Sequence, residues 1–336
     1  AYVPPKQAGK YKAVASGAIT NGKPVAVNST GTVSVVATES ASTTIGTPQV
    51  FESAFVTLFA TTFDSNSNRV VVTYRDVGNS NYGTAVVGTV DPSDNSISFG
   101  TAVVFESAST YDTSASFDSN SNKVVIAYSD NGNSNYGTAI VGTVDSSDNS
   151  ISFGSAVVFE SASTDFVAAT FDSNSNKVVI VYRDGTSNNY YGTAIVGTVS
   201  GTGISFGSAA VYESAESTFN SIAFDSNSNK VVIAYKDNAN AMYGTAIVGT
   251  VSGTSISFGT AVVFESAEVD DVTIAFDSNV KKVVIAYEDN GNSNYGTAVD
   301  FRTSGDYGNL TTTNYIGIAS GGTYADVTDG GFTTSD

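Results

Sequence analysis

One motif recurs five times in this chain and constrains its fold more than any other feature. Close variants of FDSNSNKVVIAY begin at Phe63, Phe117, Phe171, Phe224 and Phe276. The intervals between copies are 54, 54, 53 and 52 residues, and a second motif, Phe-Glu-Ser or Tyr-Glu-Ser, recurs at the same intervals from Phe51. A repeat of this length is typical of proteins in which each copy forms one structural unit.

Each copy reads as four short β-strands separated by polar turns. In the second copy, runs a, b, c and d are Thr113–Phe117, Lys123–Tyr128, Tyr136–Val144 and Ile151–Phe159. β-Branched and aromatic residues fill the runs, whereas Gly, Asn, Asp and Ser fill the gaps. Run b is almost entirely apolar, which predicts a strand buried on both faces, and run a consists of small residues that suit a crowded inner strand.

Four antiparallel strands per repeat predict an all-β fold, and the differences between the runs favour a five-bladed β-propeller. A linear stack of hairpins, in a fibre or solenoid, has the same repeat length and is the alternative. Thr43–Phe51 aligns with run d, and the last copy ends at Tyr295–Phe301 without a run d. We therefore expect the N-terminal strand to complete the fifth blade, so that residues 43–301 form a closed ring without exposed sheet edges.

The two flanks of the repeats read as short strands joined by Asn-Gly and Gly-Thr turns. Because ring closure brings the ends of a propeller together, residues 1–40 and 305–336 are predicted to meet in one small, discontinuous β base domain. The propeller would then be inserted into this base domain.

The composition excludes several classes of function. The chain has no Cys, His or Trp, so disulfides, zinc sites built from Cys or His, and His-dependent catalytic triads are excluded. Its net charge of −18 opposes binding to nucleic-acid backbones or anionic membranes. It contains no run of eighteen apolar residues that would predict a membrane-spanning helix. We predict no cofactor, no metal, no nucleic-acid partner and no membrane insertion.

The turn DSNSN has two interpretations. Asp64, Asn66 and Asn68 resemble the first ligands of a calcium loop, but Asp and Asn also form polar turns by bonding to their own backbone. The fifth copy places Lys281 at the third ligand position, which a turn tolerates and a calcium site does not. The sequence therefore favours a turn.

The positions that differ most between the repeats fall in the d–a and b–c loops, which lie at the same end of a propeller. This divergence reflects either drift in exposed loops or a binding face. Tyrosine and asparagine side chains suit sugar binding, and several equivalent weak sites would gain from multivalency. Alternatively, each tyrosine packs between blades with its hydroxyl bonded to a loop. The candidate binding residues are Tyr82, Tyr136, Tyr191, Tyr243, Tyr295, Asn81, Asn135 and Asn294.

Acidic residues also vary near the expected axis, at Asp112, Asp165, Glu216, Asp270 and Asp271. Some five-bladed propellers are glycoside hydrolases that use paired carboxylates. Here the acids occupy unequal positions and the sequence shows no arginine cluster shared by them. We therefore predict no catalytic residues, and we expect a protein that is not an enzyme.

The flanking segment GAITNGKPVAVNSTGTVSVV, followed much later by NYIGIASGGTYADV, is similar to small β domains of tailed-phage virion proteins. The repeats also resemble those of structural and fibre proteins of marine phages. The resemblance implies a location on the virion surface, outside the cell, and a role in host or glycan attachment or in particle decoration. It implies partners among other virion proteins or copies of the chain, bound through the base domain, and host-surface glycans as a further partner. A free carbohydrate-binding propeller lectin is the alternative, and a glycoside hydrolase is a less favoured one.

Overall fold

The computed structural model describes residues 14, 15, 18, 25–27, 32–35, 45–185, 190–303, 324–328 and 331–335. The chain divides into two compact units, Ala1–Gly46 and Thr47–Asp336. In the described part of the first unit, β1 (Val25–Val27) pairs with β2 (Val33–Val35) in antiparallel fashion.

The described part of the second unit is built from strands in the order of the repeats. The first repeat contains β3 (Val56–Asp64), β4 (Arg69–Asp76), β5 (Tyr82–Val90) and β6 (Ile97–Phe99). The second contains β7 (Val103–Asp118), β8 (Lys123–Asp130), β9 (Tyr136–Asp145) and β10 (Ser150–Phe153). The third contains β11 (Val157–Asp172), β12 (Lys177–Asp184), β13 (Tyr191–Ser200) and β14 (Gly203–Phe206).

The fourth repeat contains β15 (Ala210–Asp225), β16 (Lys230–Asp237), β17 (Tyr243–Ser252) and β18 (Ser255–Phe258). The fifth contains β19 (Val262–Asp277), β20 (Lys282–Asp289) and β21 (Tyr295–Phe301). A separate hairpin joins β22 (Tyr324–Thr328) to β23 (Gly331–Ser335). Short 3₁₀ turns lie at Asn131–Asn133 and Asn290–Asn292.

Each repeat forms one antiparallel sheet, and successive sheets share a strand. In the second sheet, the C-terminal half of β7 pairs with β8, and β8 pairs with β9. β9 then pairs with β10 and with the N-terminal half of β11, whose C-terminal half is the inner strand of the next sheet. We call the five sheets blades 1 to 5. The all-β fold predicted from the sequence is confirmed, and its sheets are arranged as the blades of a β-propeller.

Run d is not the single strand that the sequence predicted. β10 ends at Phe153, and β11 begins at Val157 and continues for 16 residues into the next blade. The break lies at Gly154, where an added Cβ would stand 1.9 Å from the carbonyl oxygen of Thr202 in the next blade. Only glycine allows this close approach of two backbones.

The hydrophobic core lies between the blades. Between blades 2 and 3, Val125 and Val141 pack against Val178, Ile180 and Tyr182. Equivalent clusters join blades 1 and 2, 3 and 4, and 4 and 5. Strand b is buried on both faces in blades 2 to 4, as its apolar run predicted.

The Phe-Glu-Ser motif connects each blade to the next. The Tyr128 hydroxyl donates a hydrogen bond to Glu106 Oε2 at 3.1 Å, and the Phe105 ring lies 5.3 Å from the Tyr128 ring. The same bond links Tyr182 to Glu160, Tyr235 to Glu213, and Tyr287 to Glu265. The motif is therefore constant because it carries a contact between blades.

The described residues do not show the predicted closing strand paired with blade 5. Residues 45–50 have no regular secondary structure, Thr43 and Thr44 lie outside the described residues, and no described pairing joins this segment to β21. The Phe51 ring instead contacts the rings of Tyr74 at 5.3 Å and Phe99 at 5.4 Å in blade 1. These ring contacts join the start of the repeats to blade 1.

Most of the predicted base domain, residues 1–40 and 305–336, lies outside the described residues. Its predicted assembly from the two flanks therefore stays a prediction. The described segments include no helix with the length and apolar character needed to cross a membrane.

Candidate ligand-binding face

The inner strand of each blade is kinked at one residue. Pairing slips between Tyr111 and Ser114 in β7, and Asp112 between them has a φ of 47°. A bulge of this kind bends the strand and re-aims its side chains. The kinked positions have φ values between 47° and 54°, and they are Leu58, Asp112, Phe166, Phe219 and Asp271.

The b–c turns lie beside these kinks, as the sequence predicted. Thr110 N–H donates to Asn81 O at 3.2 Å, and Thr164 N–H donates to Asn135 O at 2.9 Å. Ser217 and Val269 make the same bond to Tyr190 O and Met242 O. We call the surface made by the b–c turns and the inner-strand kinks the loop face.

The predicted asparagines have a conformational role in these turns. Asn81, Asn135 and Asn294 have φ values of 65°, 61° and 60°, in the left-handed region where Asn is tolerated better than most residues. Asn81 Oδ1 accepts a hydrogen bond from Arg75 Nε at 3.0 Å, and Asn135 Oδ1 accepts one from Asn131 Nδ2 at 2.9 Å. Local structure therefore explains why asparagine occupies these positions, and ligand binding by these residues stays a prediction.

The predicted tyrosines all occupy the first residue of the c strand. Each lies opposite the last aspartate of strand b, as Tyr82 lies opposite Asp76. In blades 1 to 4 they are half-buried, and only Tyr295 of blade 5 is largely exposed, at 62%. The structure thus brings them to the loop face in equivalent places, but four of them offer only part of their surface to a ligand.

Sequence reasoning missed a row of cations at this face. The penultimate residue of strand b is Arg75, Ser129, Arg183, Lys236 or Glu288 in blades 1 to 5. This position varies in charge, whereas the other variable positions of the strand change only between Arg and Lys, Val and Ile, or Thr, Ala and Val, and that contrast was the available signal.

Arg183 and Lys236 connect neighbouring blades. Arg183 forms ion pairs with Asp165 at 2.7 Å and Glu216 at 2.8 Å, and its guanidinium lies 4.9 Å from the rings of Phe166 and Tyr190. The sequence shows no arginine cluster shared by the acids, but in the structure the single Arg183 joins two of them.

Lys236 repeats this arrangement one blade further on. It pairs with Glu268 and Asp270, both at 2.8 Å, and lies 5.9 Å from the Phe219 ring. Burial alone would raise the pKa of Asp270, but hydrogen bonds from Lys236 and Asn290 outweigh it and hold that pKa below its ordinary value.

Asp112 has a different environment from the paired acids. Its Oδ2 accepts a hydrogen bond from the Phe166 N–H at 2.8 Å. Burial raises the pKa of Asp112, and the charge of Asp165 adds to the rise, against the opposing effects of the Phe166 N–H and Arg183. Asp165, Glu216 and Asp270 thus form ion pairs, whereas Asp112 bonds to the backbone of the next blade.

Exposed apolar side chains complete the loop face. Their exposed fractions lie between 37% and 70%, and they are Phe55, Leu58, Phe59, Tyr111, Tyr190 and Met242. Rings and thioethers that stay in water next to fixed cations are suited to contact the apolar face of a bound sugar or peptide.

At the opposite end of the blades, the DSNSN segments form polar turns. Asp118 Oδ1 accepts hydrogen bonds from the N–H groups of Asn120 and Ser121, and its Oδ2 accepts one from the Ser121 hydroxyl. The turn interpretation is confirmed. Among the described residues there is no group of three or more carboxylates arranged to hold a metal ion.

No protein-family model matches the sequence, and no curated protein matches it. Among solved structures, the chain is similar to the Dos1 propeller, with 11% identity, a TM-score of 0.46, and coverage of 84% of this chain and 62% of that one. It is also similar to a triple arginine-to-alanine mutant of AofleA from Arthrobotrys oligospora, with 9% identity, a TM-score of 0.47, and coverage of 73% and 68%. The chain thus spans less than two thirds of the Dos1 propeller.

Proposed function

We propose that this chain is a non-enzymatic surface or fibre protein of a phage particle, which displays a propeller for attachment to host glycans. The observation that carries the proposal is the distribution of variation between blades. The buried strands and the contacts between blades repeat, whereas the variable residues cluster at the loop face as cations, acids and exposed rings. The base domain, residues 1–40 and 305–336, would anchor the propeller to other virion proteins or to copies of itself.

The loop face supports glycan binding through its exposed rings. Tyr190 is 46% exposed and Tyr295 is 62% exposed, so each offers a flat apolar surface beside hydrogen-bonding groups. Because equivalent positions recur in each blade, several weak contacts would add up on a multivalent surface.

A glycan array probed with the full chain tests this function. We expect binding to at least one glycan class, and a loss of binding when Tyr190 and Tyr295 are both replaced by Ser. The control is Val280→Ser, which removes a 52% exposed apolar side chain from an a–b turn at the opposite end of blade 5. Binding that survives the double substitution, or no binding at all, would contradict the assignment to the loop face.

Immunogold labelling of phage particles distinguishes a virion protein from a free lectin or a glycoside hydrolase. If the chain is a virion protein, antibodies against it should label the particles. Glycan binding without any association with particles would favour a free lectin. Turnover of a chromogenic glycoside would favour the glycoside hydrolase alternative.

We also propose that the five blades close into a ring through residues 47–51. Two features support closure. Phe51 lies over blade 1 as Phe105 lies over blade 2, each against a tyrosine at 5.3 Å. Gly296 in blade 5 has no described atom within 4 Å of an added Cβ, whereas a Cβ added at its counterpart Gly137 would stand 2.3 Å from the Phe159 ring. Phe51 is the aromatic residue of the motif that would cover Gly296.

A disulfide trap tests closure, because the native chain contains no cysteine. Val104, Val158, Val211 and Val263 pair with Thr84, Thr138, Thr193 and Thr245. The same register in a closed ring would pair Val50 with Thr297. The double variant Val50→Cys, Thr297→Cys should oxidise to a monomeric disulfide, and Val50→Cys, Lys177→Cys should not. Disulfide-linked dimers, or no bond, would refute closure within one chain.

A further inference from the structure

The cations of the loop face differ in how their charge is neutralised. Arg183 and Lys236 each form ion pairs with two carboxylates. Arg75 has none: among the described residues, no carboxylate oxygen lies within ion-pairing distance of its guanidinium. Blade 1 therefore presents an uncompensated positive charge at the equivalent position.

Arg75 is nevertheless held in place. Its guanidinium carbon lies 4.5 Å from the centre of the Tyr111 ring, which belongs to blade 2. Its Nε donates to Asn81 Oδ1 at 3.0 Å, and the backbone oxygen of Asn81 accepts a hydrogen bond from the Thr110 N–H of β7 at 3.2 Å. These contacts use one face of the guanidinium and one N–H, so that the two terminal nitrogens form no hydrogen bond with any other described side chain or backbone group.

A fixed guanidinium with two free terminal nitrogens matches the geometry of a carboxylate, which accepts two parallel N–H bonds from it. The adjacent Tyr111 ring is 37% exposed and offers an apolar surface beside that fork. The combination suits a carboxylate attached to a ring with apolar C–H groups.

We propose that Arg75, Tyr111 and Asn81 form a subsite for a carboxylated sugar, a uronic-acid residue of a glycan. Arg75 would bind the carboxylate, Tyr111 would contact the sugar ring, and Asn81 would hold Arg75 in position. The net charge of −18 repels polyanions at long range, so the ligand is a glycan with isolated acidic residues rather than a densely charged chain. This inference rests on the proposed glycan-binding function and names its substrate class.

The test compares methyl β-D-glucuronide with methyl β-D-glucoside, which differ only in the carboxylate, by calorimetric titration of the full chain. We expect the glucuronide to bind at least tenfold more tightly. Arg75→Gln should weaken glucuronide binding at least tenfold, and Arg75→Lys should weaken it less, because a lysine keeps the charge but loses the fork. Tyr111→Ser should weaken binding of the same ligand.

Lys177→Gln is the matched control, because it removes the same charge at the start of β12, away from the loop face. It should leave glucuronide affinity within twofold, and thermal unfolding of each variant confirms folding. Equal affinity for the two glycosides, or unchanged glucuronide affinity in both Arg75→Gln and Tyr111→Ser, would overturn the subsite. If neutral glycans bind on the array and the glucuronide does not, only this inference fails. If no glycan binds, the proposed function fails with it.

Discussion

At the scale of single residues, the repeat is constant where side chains and backbones meet at close range. Gly137 in the c strand lies under the Phe159 ring, and an added Cβ would stand 2.3 Å from it. Gly83, Gly192 and Gly244 lie under aromatic rings in the same way. Here glycine provides space for a ring at the contact between blades, and it is not required for a turn.

The two glycines Gly137 and Gly296 give a matched pair of substitutions. Gly137→Ala should lower the free energy of unfolding by about 1–3 kcal/mol, because the added methyl overpacks the contact with Phe159. Gly296→Ala should cause a similar loss, because the proposed closed ring places Phe51 over Gly296 as Phe159 lies over Gly137. Urea unfolding measures both. A neutral or stabilising Gly296→Ala, by up to about 1 kcal/mol, would contradict closure, because the methyl group would then meet open space.

Asn220 is a polar residue in the core without a described partner. It is 8% exposed, and neither amide atom forms a hydrogen bond with the described residues. Val167 and Val272 occupy the equivalent place in blades 3 and 5. Asn220→Val should therefore raise the free energy of unfolding by about 1–2 kcal/mol. Val167→Asn, the reverse change, should lower it, and a destabilised Asn220→Val would contradict this account.

At the scale of elements, each 16-residue strand belongs to two successive blades and so connects them directly. β7, β11, β15 and β19 each begin as the outer strand of one blade and end as the inner strand of the next. The glutamate of the motif is the fourth residue of each of these strands, and it accepts a hydrogen bond from the tyrosine hydroxyl of the next blade. The kink that shapes the loop face follows six residues later in the same strand.

These glutamates predict a pH dependence. Burial raises the pKa of Glu106, Glu160 and Glu213 above its ordinary value of 4.5, and a neighbouring aspartate adds to the rise. A carboxyl whose pKa is raised by folding favours the folded state below its unfolded pKa, and that contribution is lost as pH rises through the folded pKa. Wild-type stability should therefore decrease between pH 4.5 and pH 7 through these groups.

Replacing all three glutamates by Gln removes this titration and should flatten the dependence, as measured by urea unfolding at pH 4.5, 5.5 and 7. The control is a triple variant with the same change in net charge at exposed positions, Asp94→Asn, Asp148→Asn and Asp271→Asn. If both triple variants change the slope equally, general charge repulsion rather than the motif explains it.

At the scale of the whole second unit, four clusters join five blades, and no cluster among the described residues joins the outward face of blade 1 to that of blade 5. Phe63 is 53% exposed in blade 1, where a shallow groove is lined by Phe63, Asn68, Val70, Val90 and Pro92. Its counterparts Phe117, Phe171, Phe224 and Phe276 all pack in the clusters between blades. In blade 5, Asp300 pairs with Lys282 at the position where Val141 of blade 2 is fully buried.

Hydrogen exchange distinguishes a closed ring from an open row of blades. In the proposed closed ring every blade has neighbours on both sides, so the b and c strands of all five blades should exchange at similar rates. In an open row, the same strands of blades 1 and 5 would exchange at least tenfold faster than those of blades 2 to 4, because they would open with fewer buried contacts. Exchange measured by mass spectrometry checks this, and faster exchange in blades 1 and 5 would contradict closure.

The sequence by itself determined the number of repeats, the strands within them, the buried character of strand b and the polar a–b turn, because these depend on local pattern and repeat intact. It also predicted that the d–a and b–c loops lie at the same end of the blades. Only the tertiary structure decided that run d breaks at Gly154, that Arg183 joins Asp165 to Glu216, and that Arg75 stacks on Tyr111. These features depend on contacts between blades, and the sequence of one repeat does not specify which side chain of the next repeat will face it.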